Sequence, residues 1–195
     1  MMTTKLTPHR IRHWPQEQVK VLVDSREQQP WDLSPMRTET TTLATGDYSS
    51  ACGRYLLERK NGIDELISCM TSGRERFERE LDRMQAFESA IVLVESAYED
   101  LATGQYRSRM NRDSALATLV AWQQRYQIPF QFCGSRTEAE RFARSYFHQQ
   151  LRNHLTALLD VQHTLASNGL ELIFRWSNED AITVGIPPVS GTTDS

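Results

Sequence analysis

Gly46-Asp47-Tyr48-Ser49-Ser50-Ala51-Cys52-Gly53-Arg54-Tyr55-Leu56-Leu57-Glu58-Arg59-Lys60-Asn61-Gly62-Ile63-Asp64 holds a turn, a strand and the start of a helix, with acidic and basic residues at each junction. Gly53 suits a turn, Arg54 to Glu58 reads as a strand, and Asn61-Gly62 ends it. Side chains alternate along a strand, so Glu58 and Lys60 share one face while Arg59 takes the other, unless a strand end or bulge frees it. Asp47 stands at a turn leading into the same hairpin and can approach the Glu58 face. Asp64 opens the following helix, either as a plain cap or within reach of whatever Glu58 and Lys60 hold.

Working outward, Val19-Lys20-Val21-Leu22-Val23 is an apolar, β-branched run that delivers Asp24-Ser25-Arg26-Glu27 to the end of a buried strand. Pro30 and Pro35 bracket a loop, and the Thr-rich stretch from Thr38 to Thr45 extends into a second strand. Downstream, Leu66, Ile67 and Met70 fall on one helical face, Ser72-Gly73 interrupts, and Phe77, Leu81 and Met84 resume the 3.6-residue stripe. Ala90-Ile91-Val92-Leu93-Val94 reads as a strand covered on both faces. Arg112 to Tyr126 is a helix and Ile128 to Cys133 a short strand. Ser135-Arg136-Thr137-Glu138 is a capping box opening a last helix that runs on through Leu155, Leu158 and Leu159. Leu170–Trp176 and Ala181–Ile186 fit a hairpin, and the tail after Pro188 reads as disordered. Three strands, then helix, strand, helix, strand, helix, predict an α/β fold with a mixed central sheet flanked by helices.

The composition fits a packed globule: 195 residues, 39% hydrophobic, four Trp and seven Phe. No run is long and apolar enough for a membrane span, and Met1 to His13 lack the apolar core of a secretory signal, so a cytoplasmic protein is expected. Cys52, Cys69 and Cys133 are widely spaced and suit neither a disulfide framework nor zinc. A net charge of −3 argues against coating nucleic acid by bulk attraction. Only three of the 22 basic residues are lysines (Lys5, Lys20 and Lys60). In so lysine-poor a chain, Lys60 at the end of an apolar strand stands out.

Two carboxylates and a lysine at this spacing suit phosphodiester hydrolysis. Carboxylates hold Mg²⁺, the metal polarises the phosphate and acidifies a bound water, and the lysine orients that water or stabilises developing charge. The same residues also fit a charged turn followed by a charged strand end.

The pattern resembles the XPF family of structure-specific endonucleases. Gly46-Asp47, Glu58-Arg59-Lys60 and Asp64 match its GD-x(n)-ERK-x(3)-D motif, and Val23-Asp24-Ser25-Arg26-Glu27 is similar to its upstream VD-x-RE motif. The likeness ends near Asn153, so the organisation it implies is an N-terminal arm (1–18), a nuclease domain (19–153), a C-terminal extension (154–187) and a tail (188–195). The resemblance implies a restriction-endonuclease-like fold, a Mg²⁺ or Mn²⁺ cofactor, and cutting of branched DNA where double and single strands meet. It implies Asp47 and Glu58 as principal metal ligands, joined by Asp24, with Lys60 as the catalytic lysine. Glu27 and Asp64 complete the acidic site, and Arg59 contacts the phosphate or holds a neighbouring carboxylate. Family members pair, which implies a homodimer acting in repair, recombination or phage DNA processing. No tandem helix-hairpin-helix pattern follows Leu151, as expected of the compact form found in bacteria and phages. A catalytically silent DNA-binding partner subunit, or a sequence-specific or defence nuclease on the same core, are the other readings.

Candidate DNA contacts are Arg26, Arg74, Arg107, Arg109 and Arg112. Arg74, Arg76 and Arg79 alternate with Glu75, Glu78 and Glu80, which suits either a solvated face laced with i,i+4 pairs or a phosphate-contacting edge. Tyr106 to Arg112 is less balanced by acids and is the better DNA-contact loop. His148, His154 and His163 lack ligand spacing and read as surface or satisfied core.

Overall fold

The computed structural model describes residues 6–168 and the strands at 173–176 and 182–185. Its central sheet is built from β1 (Lys20–Asp24), β2 (Arg37–Thr41), β3 (Tyr48–Ser50), β4 (Tyr55–Lys60), β5 (Ser89–Val94) and β6 (Phe130–Phe132), in the order β2-β1-β3-β4-β5-β6. β3 runs antiparallel to both β1 and β4, while β2 is parallel to β1 and β5 is parallel to β4 and β6. This is the expected mixed sheet, flanked by α1 (Pro8–Arg12), α2 (Ile63–Met70), α3 (Arg74–Met84), α4 (Tyr98–Thr103), α5 (Arg112–Tyr126) and α6 (Arg136–Ser167). β7 (Ile173–Trp176) and β8 (Ile182–Gly185) pair antiparallel, as the hairpin reading expects. The disordered tail expected after Pro188 lies outside the described residues.

Alternation along the strands creates two cores. On one face Leu56, Val92 and Val94 pack against Leu66 and Ile67 of α2, Phe77 and Leu81 of α3, and Trp122 of α5. On the other, Val21, Val23, Tyr48, Leu57 and Leu93 pack against Trp31 and Leu33 of the β1–β2 connection and Phe147 of α6. Ala139 and Ala143, both fully buried, let α6 lie close to that face. Each such aliphatic or aromatic side chain stabilises the fold by about 1.5–3 kcal/mol when buried. Ser135 caps α6 by accepting from the Glu138 N–H at 3.2 Å. The helix passes through Asn153 without a break, and its later residues Leu155 and Leu159 bury Leu6, Ile11 and Trp14 of the N-terminal segment.

α1, β2, β3 and α4 depart from the sequence reading. The Thr-rich strand stops at Thr41, because the next backbone groups bond to side chains: the Leu43 N–H donates to Asp24 Oδ2 (2.8 Å) and its carbonyl accepts from Arg26 (2.9 Å). A separate three-residue strand, β3, then enters between β1 and β4. α1 and α4 are further short helices not foreseen.

Candidate active site

β3 brings the acidic residues into register. Val23 faces Tyr48 and Tyr48 faces Leu57, so the residues at the strand ends, Asp24, Asp47 and Glu58, form a row across three strands. Asp47 is tied to both neighbours through its backbone: the Asp24 N–H donates to its carbonyl (2.8 Å), and its own N–H donates to the Leu57 carbonyl (3.1 Å). Gly46 makes this entry possible. Its φ is +73°, and a Cβ there would stand 2.8 Å from the Leu56 side chain, so a larger residue meets both strain and overlap. The Asp47 side chain is fixed in turn by the Arg59 N–H, which donates to Oδ2 at 2.7 Å.

On the α2–α3 face, Glu58 and Lys60 are each 4% exposed. Lys60 Nζ donates to Glu58 Oε1, lies 3.8 Å from Glu65 and sits 4.5 Å from the centre of the Phe77 ring. The other Glu58 oxygen, Oε2, is buried with no hydrogen-bond partner. Burial pushes the Glu58 carboxyl well above the usual range, against the pull of Lys60 and with help from Asp47 and Glu80. For Lys60, burial acts downward, but Glu58 outweighs it and the ammonium is held above the ordinary lysine value. Asp47 is raised to about 6, chiefly by burial, while the Arg59 N–H and Lys60 oppose the shift and Glu27 and Glu80 add to it.

A buried acceptor without a donor, beside a second carboxylate and a lysine, fits a divalent cation, which supplies the missing positive charge and reverses the local pKa shifts. Among the described residues no three His, Cys, Asp or Glu side chains gather closely enough to form a complete cage. Two carboxylates suffice for Mg²⁺, which keeps several waters and takes further oxygens from a phosphate substrate.

Arg59 belongs to the opposite face. β4 stays regular to its end, and the guanidinium is buried in an ion-pair network with the side chains of Glu95 (2.8 and 3.3 Å) and Glu27 (3.1 Å) and with the Gln29 carbonyl (3.2 Å). Its Cζ lies 5.7 Å from the centre of the Trp31 ring, and the Trp31 indole N–H donates to Glu95 Oε1 at 2.5 Å. Burial lowers the guanidinium's proton affinity; the hydrogen bonds and charges of Glu95 and Glu27 more than restore it. Arg59 and Glu27 are therefore brought together, beneath the row of strand ends.

The remaining candidates lie around the rim. Both oxygens of Asp24 are engaged, by the Arg26 fork (2.7 and 2.9 Å), the Arg26 N–H and the Leu43 N–H. The Arg26 hydrogen bond is the main reason its pKa falls to about 2. A metal ion at Asp24 would have to displace these donors, and Arg26 is bound to Asp24 while remaining largely exposed. Asp64 is not the N-cap of α2, a place held by Gly62; instead it accepts from the Arg107 N–H (2.8 Å) and pairs with its guanidinium (3.4 Å). Two candidates from separate stretches thus meet, and Asp64 tethers the arginine loop to the start of α2. Arg74 donates to Glu78 (2.9 Å) and lies over Trp122, while Arg109 and Arg112 are exposed. Glu80 and Glu95 were not among the sequence candidates. Glu80 follows Phe77 by one helical turn, and Glu95 is the first residue past an apolar strand parallel to β4, so both had a positional signal.

The ERCC4 domain model matches residues 23–146, more than half of the chain. The chain belongs to the ERCC4 domain family. It carries an XPF-type nuclease domain, and the matched residues run from the end of β1 through β6 into α6. Among solved structures it is similar to XPF from Aeropyrum pernix, with a TM-score of 0.55 and 20% identity over 76% of this chain and 73% of that one. The same archaeal protein in complex with DNA matches with a TM-score of 0.55 and 20% identity, over 69% of this chain and 66% of that one. At this identity the likeness shows the shared fold. No curated protein sequence matches the chain.

Proposed function

We propose that this chain is a divalent-metal-dependent DNA endonuclease whose centre is Asp47, Glu58 and Lys60. The observation that carries the reading is the buried Oε2 of Glu58, which has no hydrogen-bond partner, on a residue that pairs with Lys60 through Oε1 and lies across the strand register from Asp47. Asp47 and Glu58 would hold Mg²⁺ or Mn²⁺, which when bound polarises a phosphate oxygen and lowers the pKa of a coordinated water. Lys60 donates to Glu58 Oε1 and, as an ammonium, would serve as a donor to the attacking water or to the phosphate rather than as a base. Phe77 beneath its Nζ and Glu58 at its side restrict the directions in which it donates. Arg59 acts from the far face, its backbone N–H orienting Asp47.

Arg107, held at the start of α2 by Asp64, and the exposed Arg109 and Arg112 supply phosphate contacts that fix the register of the DNA. The Aeropyrum protein described in complex with DNA supports nucleic acid as the substrate. We assign branched DNA, cut near single- to double-strand junctions, from the likeness to the XPF family. A homodimer is the expected assembly, and light scattering that finds only monomer removes it. No helix among the described residues is long and apolar enough to cross a membrane.

The test is cleavage of linear duplex, flap, fork and four-way junction DNA side by side, with Mg²⁺ and with chelator. Mg²⁺-dependent cutting that favours flap or fork supports the whole reading. Equal cutting of linear duplex removes the branched preference, and no cutting of any substrate overturns the nuclease assignment.

A further inference from the structure

We propose that Glu95 is a positioning residue of this centre: it clamps the Arg59 guanidinium on the far face of the sheet and so holds the Arg59 N–H that orients Asp47. The proposal rests on the nuclease reading above and adds a residue to it.

The parallel β4–β5 register places Lys60 opposite Val94, so Glu95 is the first residue beyond the paired strand ends. Its N–H donates to the Lys60 carbonyl at 2.9 Å, tying the backbone of the two strands together where β4 stops. Val94 faces the α2–α3 core, so by alternation Glu95 turns to the opposite face, where Arg59 points. Both carboxylate oxygens are engaged there. Oε1 accepts from Arg59 Nε at 2.8 Å and from the Trp31 indole at 2.5 Å, and Oε2 accepts from Arg59 Nη2 at 3.3 Å. The Glu95 and Arg59 side chains are each only 5% exposed. With Glu27 and the Gln29 carbonyl taking Nη1, the guanidinium is held on three sides and turned away from the catalytic face.

The link to the centre is the Arg59 main chain. Its N–H is the donor to Asp47 Oδ2, at 2.7 Å, and it lies between the two residues, Glu58 and Lys60, that form the other half of the site. Arg59 is thus fixed at both its backbone and its guanidinium, and a loosened guanidinium lets the last residues of β4 shift. Partners that orient a ligating carboxylate typically change metal affinity or activity by about 10–100-fold when removed. Trp31 strengthens the clamp by stacking on Tyr48 of β3 (ring centres 4.7 Å apart), and Tyr48 directly follows Asp47.

Glu95→Gln in the full chain is the test, read by Mn²⁺ titration using electron paramagnetic resonance and by cleavage kinetics on a fork substrate. The expected result is Mn²⁺ affinity and kcat each lower by about 10–100-fold, with KM for DNA changed by less than about twofold. A folded Glu95→Gln protein that binds Mn²⁺ and cleaves like wild type, with only its Tm lowered, overturns the proposal. If that variant does not fold, Trp31→Phe carries the test, since it removes one donor to Glu95 and keeps an aromatic ring. Mn²⁺ affinity about threefold weaker then supports the clamp, and an unchanged affinity overturns it. Wild-type protein that binds Mn²⁺ but cuts no DNA sinks the nuclease reading while the titration still decides the role of Glu95. Wild-type protein that does neither sinks both.

Discussion

The two faces of β4 near its end use the same residue types in opposite ways. On the α2–α3 face, Glu58 and Lys60 are buried as a pair whose carboxylate keeps one oxygen without a donor, and burial drives that carboxyl upward. On the α6 face, Arg59 is matched by Glu27 and Glu95, and Glu95 is driven the other way: burial raises it, but the Arg59 and Trp31 hydrogen bonds prevail and lower its pKa. One face is an incomplete electrostatic site, the other a saturated one. The incomplete face is suited to bind a cation; the saturated face holds the strand that carries it. Such a division exchanges stability for function at one side of a strand and recovers it on the other.

The largest expected effect breaks the incomplete face directly. Lys60→Ala lowers the cleavage rate by roughly 10³-fold, because the donor aimed at the reacting phosphate is gone. Single-turnover cleavage checks this, and a loss below tenfold would remove Lys60 from the chemistry. On the saturated face, Arg59→Ala leaves two buried carboxylates without their cation and destabilises the fold by about 3–5 kcal/mol, to be read from urea unfolding. Between the faces, Gly46→Ala combines a left-handed backbone with a 2.8 Å approach to Leu56 and costs about 1–3 kcal/mol. An unchanged urea midpoint in that variant would mean that the entry to β3 does not need glycine.

A pH comparison separates the faces further. Asp47 binds its proton more tightly folded than unfolded, so its contribution to the stability of the metal-free protein falls as pH rises from about 4 to about 6 and is lowest above that. Asn at position 47 removes this penalty, so Asp47→Asn raises Tm at pH 7, whereas Glu95→Gln lowers it. Asp24, whose pKa falls to about 2, behaves oppositely to Asp47: its stabilisation is full above the ordinary aspartate value and is lost as pH falls toward 2. Thermal scans at several pH values test these signs. The smallest effect belongs to the rim, where Asp64→Ala frees the Arg107 loop and raises KM for DNA about threefold with little change in kcat.

Much of this arrangement could be read from the chain because it follows from local rules. Apolar runs marked β1, β4 and β5, the Ser135 cap marked the start of α6, and strand alternation placed Glu58 with Lys60 and Arg59 away from them. β3 escaped because Tyr48-Ser49-Ser50 is short and polar, and only its two neighbours make it a strand. The partners of Arg59 escaped for a different reason. Alternation gives the face to which a side chain points, but the carboxylate waiting there comes from a parallel strand 36 residues away. Likewise Asp24 carries an apparent ligand's identity, yet its nearest competitor, Arg26, is two residues along the chain and satisfies it.

If the carboxylate row ending in Asp47 and Glu58 is a metal-dependent nuclease centre, cleavage must depend on Asp47. The most direct test is Mg²⁺-dependent cleavage of forked DNA by Asp47→Asn beside wild type, with both proteins shown by circular dichroism to be folded. Wild type is expected to cut, and the variant not to cut above background. Cleavage by Asp47→Asn at the wild-type rate would contradict the assignment of this centre.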